Sequence, residues 1–166
     1  MIHFDSEADM ERAIVSAIND FETLPWNQSP NRVIKVDSQV RLGAHGVADI
    51  VCFVECMESG VKWIEVVELK NTKIKLDHLA QLARYKSFFK NTGDFVRYTL
   101  IGTKTFPNGN DDCFLIQCSD WADVYEMSID IASGATFDVV SGWKVTASGE
   151  PDTDFVTRFS DGAIEV

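Results

Sequence analysis

The sequence lacks any long hydrophobic run. No stretch of about 18 apolar residues occurs, and the strongly apolar segment VADIVCFV, residues 47–54, is short and carries Asp49. No basic segment followed by an apolar one resembles a secretory leader. Internal repeats and low-complexity tracts are absent as well. We therefore expect a soluble, cytoplasmic protein that does not associate with membranes.

Cysteine is scarce, with four residues in the chain: Cys52, Cys56, Cys113 and Cys118. Without a secretory signal, these are not expected to form a disulfide framework. Neither pair has the two-residue gap typical of zinc knuckles, and both lie in apolar, strand-like runs. We interpret them as buried thiols that behave as small hydrophobic side chains. A metal cluster, such as an iron–sulfur centre, is the alternative interpretation.

Positive charge is also scarce, because 15 Lys and Arg face 26 Asp and Glu and the net charge is −11. This balance argues against a protein that binds nucleic acid non-specifically over its whole surface. However, residues 62–104 hold nine of the 15 basic residues and only four of the 26 acids. A local positive segment suits a site that faces phosphates. The alternative is a solvated helix face that carries Lys and Arg.

The chain is long enough, at 166 residues with 45% hydrophobic content, to form one domain with its own core. Helical spacing of apolar residues predicts α-helices over residues 6–21, with Ser6 as N-cap, and over residues 77–91, capped by Asp77 or a neighbour. Patterns rich in β-forming residues predict strands over residues 32–40, 47–55, 64–70, 96–103 and 113–118. This alternation predicts an α/β fold with a mixed central β-sheet flanked by helices.

Residues 64–70, IEVVELK, read as a buried strand that ends with Glu68 and Lys70. Because strand side chains alternate, these two project to one face and Val67 and Leu69 to the other. An ordinary surface ion pair is the alternative. Asp49 interrupts the preceding strand, where a carboxylate is costly unless it is hydrogen-bonded or bound to a cation. One hairpin separates Asp49 from Glu68, so the two can form an acidic pocket suited to Mg²⁺.

The two predicted helices supply further candidates. In helical projection Glu7 falls on the apolar stripe with Met10 and Ile14, where a carboxylate needs a metal ion or a buried cation as partner. A side chain that reaches water past the first turn would remove that need. Gln81 and Tyr85 are four residues apart and therefore share one face of the second helix.

Four motifs follow one another along the chain: Glu7, Asp49, Glu68-x-Lys70 and Gln81-x-x-x-Tyr85. Their order and spacing resemble the PD-(D/E)XK nuclease superfamily, and specifically its RecB-like branch with a Q-x-x-x-Y helix. Ala48 stands where the name-giving motif has Pro. The resemblance covers residues 6–118. It implies a restriction-endonuclease-like core over residues 1–120. Residues 121–166 match nothing in the family, and we expect them to form an acidic C-terminal extension packed on the same domain.

The resemblance also implies an activity, a metal-dependent nuclease that hydrolyses phosphodiester bonds of nucleic acid, with DNA as the expected substrate. Its catalytic residues would be Glu7, Asp49, Glu68 and Lys70. Mg²⁺ or Mn²⁺ would be held by Asp49, Glu68, the Leu69 carbonyl and Glu7. Lys70 would orient the attacking water or contact the scissile phosphate. Gln81 and Tyr85 would steady the site and touch the nucleic-acid backbone, and the candidate phosphate contacts are Lys73, Lys75, Arg84 and Lys86.

A second function class fits the charge of the chain. The same fold could be a catalytically inactive binding module that engages a protein partner through its acidic surface, for which a net charge of −11 is natural. From residue 111 onward, 12 acids face only Lys144 and Arg158. A homodimer, or a protein partner bound through this acidic C-terminal segment, is compatible with either function.

Overall fold

The computed structural model describes residues 4–28, 30–104, 121–130 and 134–141. Two α-helices and six strands lie in these ranges. In chain order they are α1 (Glu7–Phe21), β1 (Asn31–Arg41), β2 (Val47–Cys56), β3 (Lys62–Lys73), α2 (Leu76–Phe89), β4 (Val96–Lys104), β5 (Ala122–Asp130) and β6 (Gly134–Ser141). A short 3₁₀ turn, Gly43–His45, joins β1 to β2.

The six strands form one mixed sheet in the order β1-β2-β3-β4-β5-β6. Strand β2 runs antiparallel to both β1 and β3, β4 runs parallel to both β3 and β5, and β6 is antiparallel to β5. Helix α2 is the crossover that joins the parallel strands β3 and β4. The predicted α/β fold with a mixed central sheet flanked by helices is therefore confirmed.

Helix α1 begins as its sequence predicts. Ser6 is the N-cap, and its Oγ accepts a hydrogen bond of 3.1 Å from the backbone N–H of Asp9. Met10, Ile14 and Ile18 are fully buried at helical spacing. Burial of each such side chain contributes about 1.5–3 kcal/mol, which fixes α1 on one face of the sheet. The helix ends at Glu22, which has a left-handed φ of 56°.

Helix α2 covers the other face and begins slightly earlier than predicted. Its N-cap is Lys75 rather than Asp77, and the backbone N–H of Lys75 donates to Nδ1 of His78 at 3.0 Å. Leu79, Leu82 and Phe89 are buried against the sheet, whereas Asp77 lies in the first turn, where the helix dipole favours an acid. No described helix is long and apolar enough to cross a membrane.

The two faces of the sheet build two separate cores. On the α1 face, Val67 and Leu69 of β3 pack with Ile50 and Cys52 of β2. On the α2 face, Val66 packs with residues that include Val51, Phe53, Leu82 and Leu100. The alternation predicted for β3 is thus observed, and Cys52 is a buried thiol within a hydrophobic core. Cys113, Cys118 and the strand predicted over residues 113–118 lie outside the described residues.

Part of the predicted C-terminal segment continues the same sheet, because β5 pairs with β4 and β6 pairs with β5. The division of the chain at residue 120 stays a prediction. The rest of that segment, residues 131–133 and 142–166, lies outside the described part of the chain.

Candidate active site

The β2–β3 hairpin brings two carboxylates together. Its register pairs Ile50 with Val67, so that Asp49 and Glu68 occupy the next positions on adjacent strands. Oδ2 of Asp49 accepts a hydrogen bond of 2.7 Å from the backbone N–H of Leu69, the residue after Glu68. The prediction that one hairpin would place Asp49 beside Glu68 therefore matches the geometry of the sheet.

Glu68 is a buried carboxyl group in a negatively charged setting. Its side chain is only 3% exposed. Burial, reinforced by the negative charge of Asp49, raises the pKa of Glu68 from 4.5 to about 8, although Tyr85 and Lys70 partly oppose that rise. Burial and the neighbouring Asp49 therefore oppose the ionisation of Glu68.

Lys70 provides the ammonium group of the site. Its Nζ lies 3.4 Å from Oε1 of Glu68 and 4.0 Å from Oε1 of Glu7, and the side chain is largely buried. Because Lys70 follows Glu68 by two residues on β3, both side chains project to the same face of the strand. Within the Asp49–Glu68 pair, the ammonium of Lys70 therefore forms its ion pair with Glu68.

The Gln81–Tyr85 pair of α2 reaches the site through hydrogen bonds. The Tyr85 hydroxyl lies 2.9 Å from Oε2 of Glu68 and 2.7 Å from the carbonyl oxygen of Val47, and it accepts a bond of 3.0 Å from Nε2 of Gln81. Burial and the charge of Glu68 raise the pKa of Tyr85, so its hydroxyl stays protonated. Tyr85 therefore connects α2 to both strands that carry the carboxylates.

A glycine makes room for this tyrosine. Gly46 precedes β2 with a backbone φ of 113°, which residues other than glycine rarely adopt. A Cβ built at this position would lie 3.2 Å from Cε1 of Tyr85. The turn before Asp49 is therefore also the place where the backbone passes close to the Tyr85 ring.

Glu7 differs from its predicted placement. The helical projection put it on the inward stripe of α1, but its side chain is 53% exposed. Glu7 is the first residue of the helix, one turn before Met10, and its carboxylate reaches along the surface toward Lys70. The structure therefore shows the alternative, a Glu7 side chain that reaches water past the first turn, and its carboxylate lies near the ammonium of the site.

Another glutamate of α1 approaches Asp49. Glu11 is half-buried, and Gln39 of β1 links it to Asp49, because Nε2 of Gln39 donates to Oε2 of Glu11 at 3.0 Å and to Oδ1 of Asp49 at 3.1 Å. Burial raises the pKa of Glu11, Gln39 opposes that rise, and the charge of Asp49 adds to it. Gln39 was not among the predicted site residues. Its only signal was its place in β1, which becomes informative once the strand register is known.

The described residues contain no group of three or more His, Cys, Asp or Glu side chains placed to hold a metal ion. Asp49 and Glu68 form a pair, and the glutamates of α1 lie at its margin.

The basic residues predicted to contact phosphates differ in position. Lys75 and Arg84 are exposed on or beside α2, and Lys86 lies over the Trp121 ring at 4.9 Å. The Lys73 side chain lies outside what the structure describes.

A second buried acid lies on the opposite face of β3 and was not predicted. Glu65 accepts hydrogen bonds from the indole N–H of Trp63 at 2.6 Å and of Trp26 at 3.4 Å, and from the hydroxyl of Thr99. Nearby, Nη2 of Arg97 lies 2.7 Å from Oδ2 of Asp123. Burial raises the pKa of Glu65, and the Arg97 charge and the donated hydrogen bonds counter that rise. This buried network joins β3, β4 and β5.

No protein-family model and no curated protein matches the chain. Two solved structures are similar to it. A repair endonuclease from Pyrococcus abyssi shares 24% identity with a TM-score of 0.44, over 68% of this chain and 44% of that one. SfsA of Pyrococcus furiosus, in complex with Ca²⁺, shares 13% identity with a TM-score of 0.36, over 84% of this chain and 64% of that one. The chain thus spans less than two thirds of either protein, and at these TM-scores neither likeness establishes its function.

Proposed function

We propose that this chain is a metal-dependent nuclease of the PD-(D/E)XK type, with a restriction-endonuclease-like core of the RecB-like branch, that hydrolyses phosphodiester bonds of nucleic acid. DNA is the expected substrate. The observation that carries the proposal is the arrangement of Asp49, Glu68 and Lys70, two carboxylates on adjacent strands with an ammonium 3.4 Å from one of them. The hydrogen bond from the Q-x-x-x-Y tyrosine to Glu68 supports the same assignment.

The donor set of the site fits a hard divalent cation. Asp49, Glu68 and the Leu69 carbonyl offer oxygen ligands, and Glu7, at the margin of this pair, would complete the set through water. Mg²⁺ commonly needs only one or two carboxylates, with waters and a substrate phosphate filling the other positions, so the pair on β2 and β3 is sufficient. The mutual repulsion of Asp49 and Glu68 also favours a cation between them. When bound, the metal would neutralise phosphate charge and lower the pKa of a bound water.

The side chains around the two carboxylates have separate roles in this proposal. Lys70 orients the attacking water or contacts the scissile phosphate, because its ammonium lies beside Glu68 and remains partly exposed. Tyr85, held by Gln81, fixes the orientation of the Glu68 carboxyl group. Arg84 is exposed on the same helix as that pair and, with Lys73 at the end of β3, is a candidate contact to the nucleic-acid backbone.

Substitution of Glu68 and Lys70 tests the proposal. The purified protein is expected to cleave plasmid or linear DNA with Mg²⁺ or Mn²⁺, and Glu68→Ala or Lys70→Ala is expected to abolish cleavage while the circular dichroism spectrum is retained. Lys90→Ala is a matched control, because Lys90 is an exposed cation at the C-terminal end of α2. Robust cleavage by the Glu68→Ala/Lys70→Ala double variant would refute the assignment.

The second candidate is a non-catalytic binding module whose acidic surface engages a protein partner. The net charge of −11 favours it, since such a charge opposes the approach of nucleic acid. Calorimetric titration with Mn²⁺ separates the two functions. A nuclease binds the ion in a manner that Asp49→Asn and Glu68→Gln reduce, whereas a binding module shows no carboxylate-dependent uptake.

A further inference from the structure

Gln39 has an unusual backbone conformation for its place in the fold. It lies inside strand β1 with a φ of 52°, and among the described non-glycine residues only Glu22 shares a positive φ. Glu22 ends a helix, where a left-handed residue is common. Inside a strand, the same conformation in a residue with a Cβ stores strain and persists only where the surroundings enforce it.

The Gln39 side chain makes two hydrogen bonds from a single nitrogen. The pairs Ser38–Ile50 and Val40–Ala48 place Gln39 opposite Asp49 across the β1–β2 ladder. Its amide nitrogen carries two hydrogens, so it can donate to Asp49 at 3.1 Å and to Glu11 at 3.0 Å at the same time. The amide thereby ties Asp49 to helix α1.

Both oxygens of Asp49 are consequently held. Oδ1 accepts from Gln39, and Oδ2 accepts from the Leu69 N–H at 2.7 Å. Two donors from different strands fix the rotation of the carboxylate, and each oxygen keeps a lone pair for another ligand. The neutral amide of Gln39 orients the Asp49 carboxylate without changing the charge of the Asp49–Glu68 pair. A Glu at this position would add a negative charge, and a Lys would neutralise one.

We propose that Gln39 is a positioning residue that orients Asp49 for cation binding and couples that orientation to α1 through Glu11. The inference rests on the proposed function, since it assigns Asp49 to the metal. Residues that hydrogen-bond a ligating carboxylate typically change metal affinity or activity by about 10- to 100-fold when they are removed. Gln39 is solvent-exposed, so water can replace part of the lost bonding, and we expect an effect of about tenfold.

The test separates positioning from stability. Gln39→Gly removes the amide and relieves the backbone strain, so the melting temperature of the metal-free protein should stay the same or rise while the dissociation constant for Mn²⁺ increases about tenfold. Gln39→Asn keeps an amide and tolerates a left-handed φ but is one methylene shorter, and it should also bind Mn²⁺ more weakly. Ser38→Gly is the matched control for a glycine in the same exposed part of β1 and should leave the affinity unchanged.

The outcomes distinguish this inference from the proposed function. Wild-type protein that binds Mn²⁺ and cleaves DNA supports the nuclease assignment. If Gln39→Gly and Gln39→Asn then bind Mn²⁺ with the wild-type dissociation constant, only the role of Gln39 is overturned. A wild-type protein that neither binds Mn²⁺ nor cleaves overturns both.

Discussion

Replacing Tyr85 with Phe removes one hydroxyl from the middle of the site and keeps the ring that fills the space beside Gly46. The hydroxyl contacts the Glu68 carboxyl, the Val47 carbonyl and the Gln81 amide, all within 3.0 Å. Tyr85 itself is fully buried and Glu68 nearly so. The substitution therefore tests whether this hydrogen-bond network stabilises the fold around the carboxylates.

The expected loss follows from which partners can reach water. A buried polar group left without its partner costs about 1–3 kcal/mol, and Glu68 is such a group. Val47 and Gln81 are only half-buried, so water can replace their bonds at lower cost. We expect Tyr85→Phe to lower the free energy of unfolding by about 2 kcal/mol. For a chain of this length that corresponds to a decrease of roughly 4–8 °C in melting temperature.

Urea denaturation of the metal-free protein at pH 7, followed by tryptophan fluorescence, measures this loss. The midpoint should fall while the slope m is unchanged, because the surface exposed on unfolding stays the same. Tyr98→Phe is the matched control. Tyr98 is buried on the same face of the sheet, and no hydrogen bond of its hydroxyl is present in the described part of the chain. If Tyr85→Phe loses no more stability than Tyr98→Phe, the reasoning about the network is refuted.

Three further predictions concern other buried positions. Glu68→Gln should stabilise the metal-free protein more at pH 9 than at pH 5, by chemical denaturation, because a folded-state pKa of about 8 against 4.5 makes wild-type stability fall as pH rises between these values. Gly102→Ala should cost about 1–3 kcal/mol in thermal unfolding, since its Cβ would overlap Ile74. Arg97→Met should cost about 3–5 kcal/mol by urea denaturation, because it removes the charge beside buried Asp123. Equal stabilisation by Glu68→Gln at pH 5 and pH 9 would contradict the first prediction. An unchanged unfolding midpoint would contradict the second or the third.

Local patterns predicted both helices, strands β1 to β4 and one contact of the site, whereas β5 and β6 were not among the predicted strands. The Ser6 cap and the spacing of Met10, Ile14 and Ile18 specify α1 within the helix itself, and that helix was placed correctly. The hairpin between β2 and β3 has a short connection, so chain order predicts Asp49 and Glu68 on adjacent strands, and the register Ile50↔Val67 then sets them side by side. These features depend on neighbours in sequence, which is why a single sequence suffices to find them.

Other features of the site depend on contacts between distant segments. Helical projection assigned Glu7 to the buried stripe, but it does not say where the helix begins relative to the edge of the sheet. The bond from Gln39 to Glu11 joins residues 28 positions apart, and that from Trp26 to Glu65 joins residues 39 apart. No local pattern encodes such contacts. The positive φ of Gln39 could not be predicted either, because glycine is the residue that usually indicates a left-handed conformation and this position holds Gln.

Strand β3 carries two buried glutamates, and the difference between them indicates which one is suited to a cation. Glu65 is surrounded by donors, two indole N–H groups and a hydroxyl, and by the charge of Arg97; these oppose the rise in its pKa that burial causes. Glu68, three residues later on the other face, accepts from Tyr85 and is paired with Lys70, but the charge of Asp49 opposes its ionisation. A divalent cation would relieve that repulsion at Glu68, whereas at Glu65 it would have to displace existing donors. The asymmetry follows from the hairpin that places Asp49 beside only one of the two glutamates, and it accounts for Glu65 as a structural acid and Glu68 as the proposed ligand.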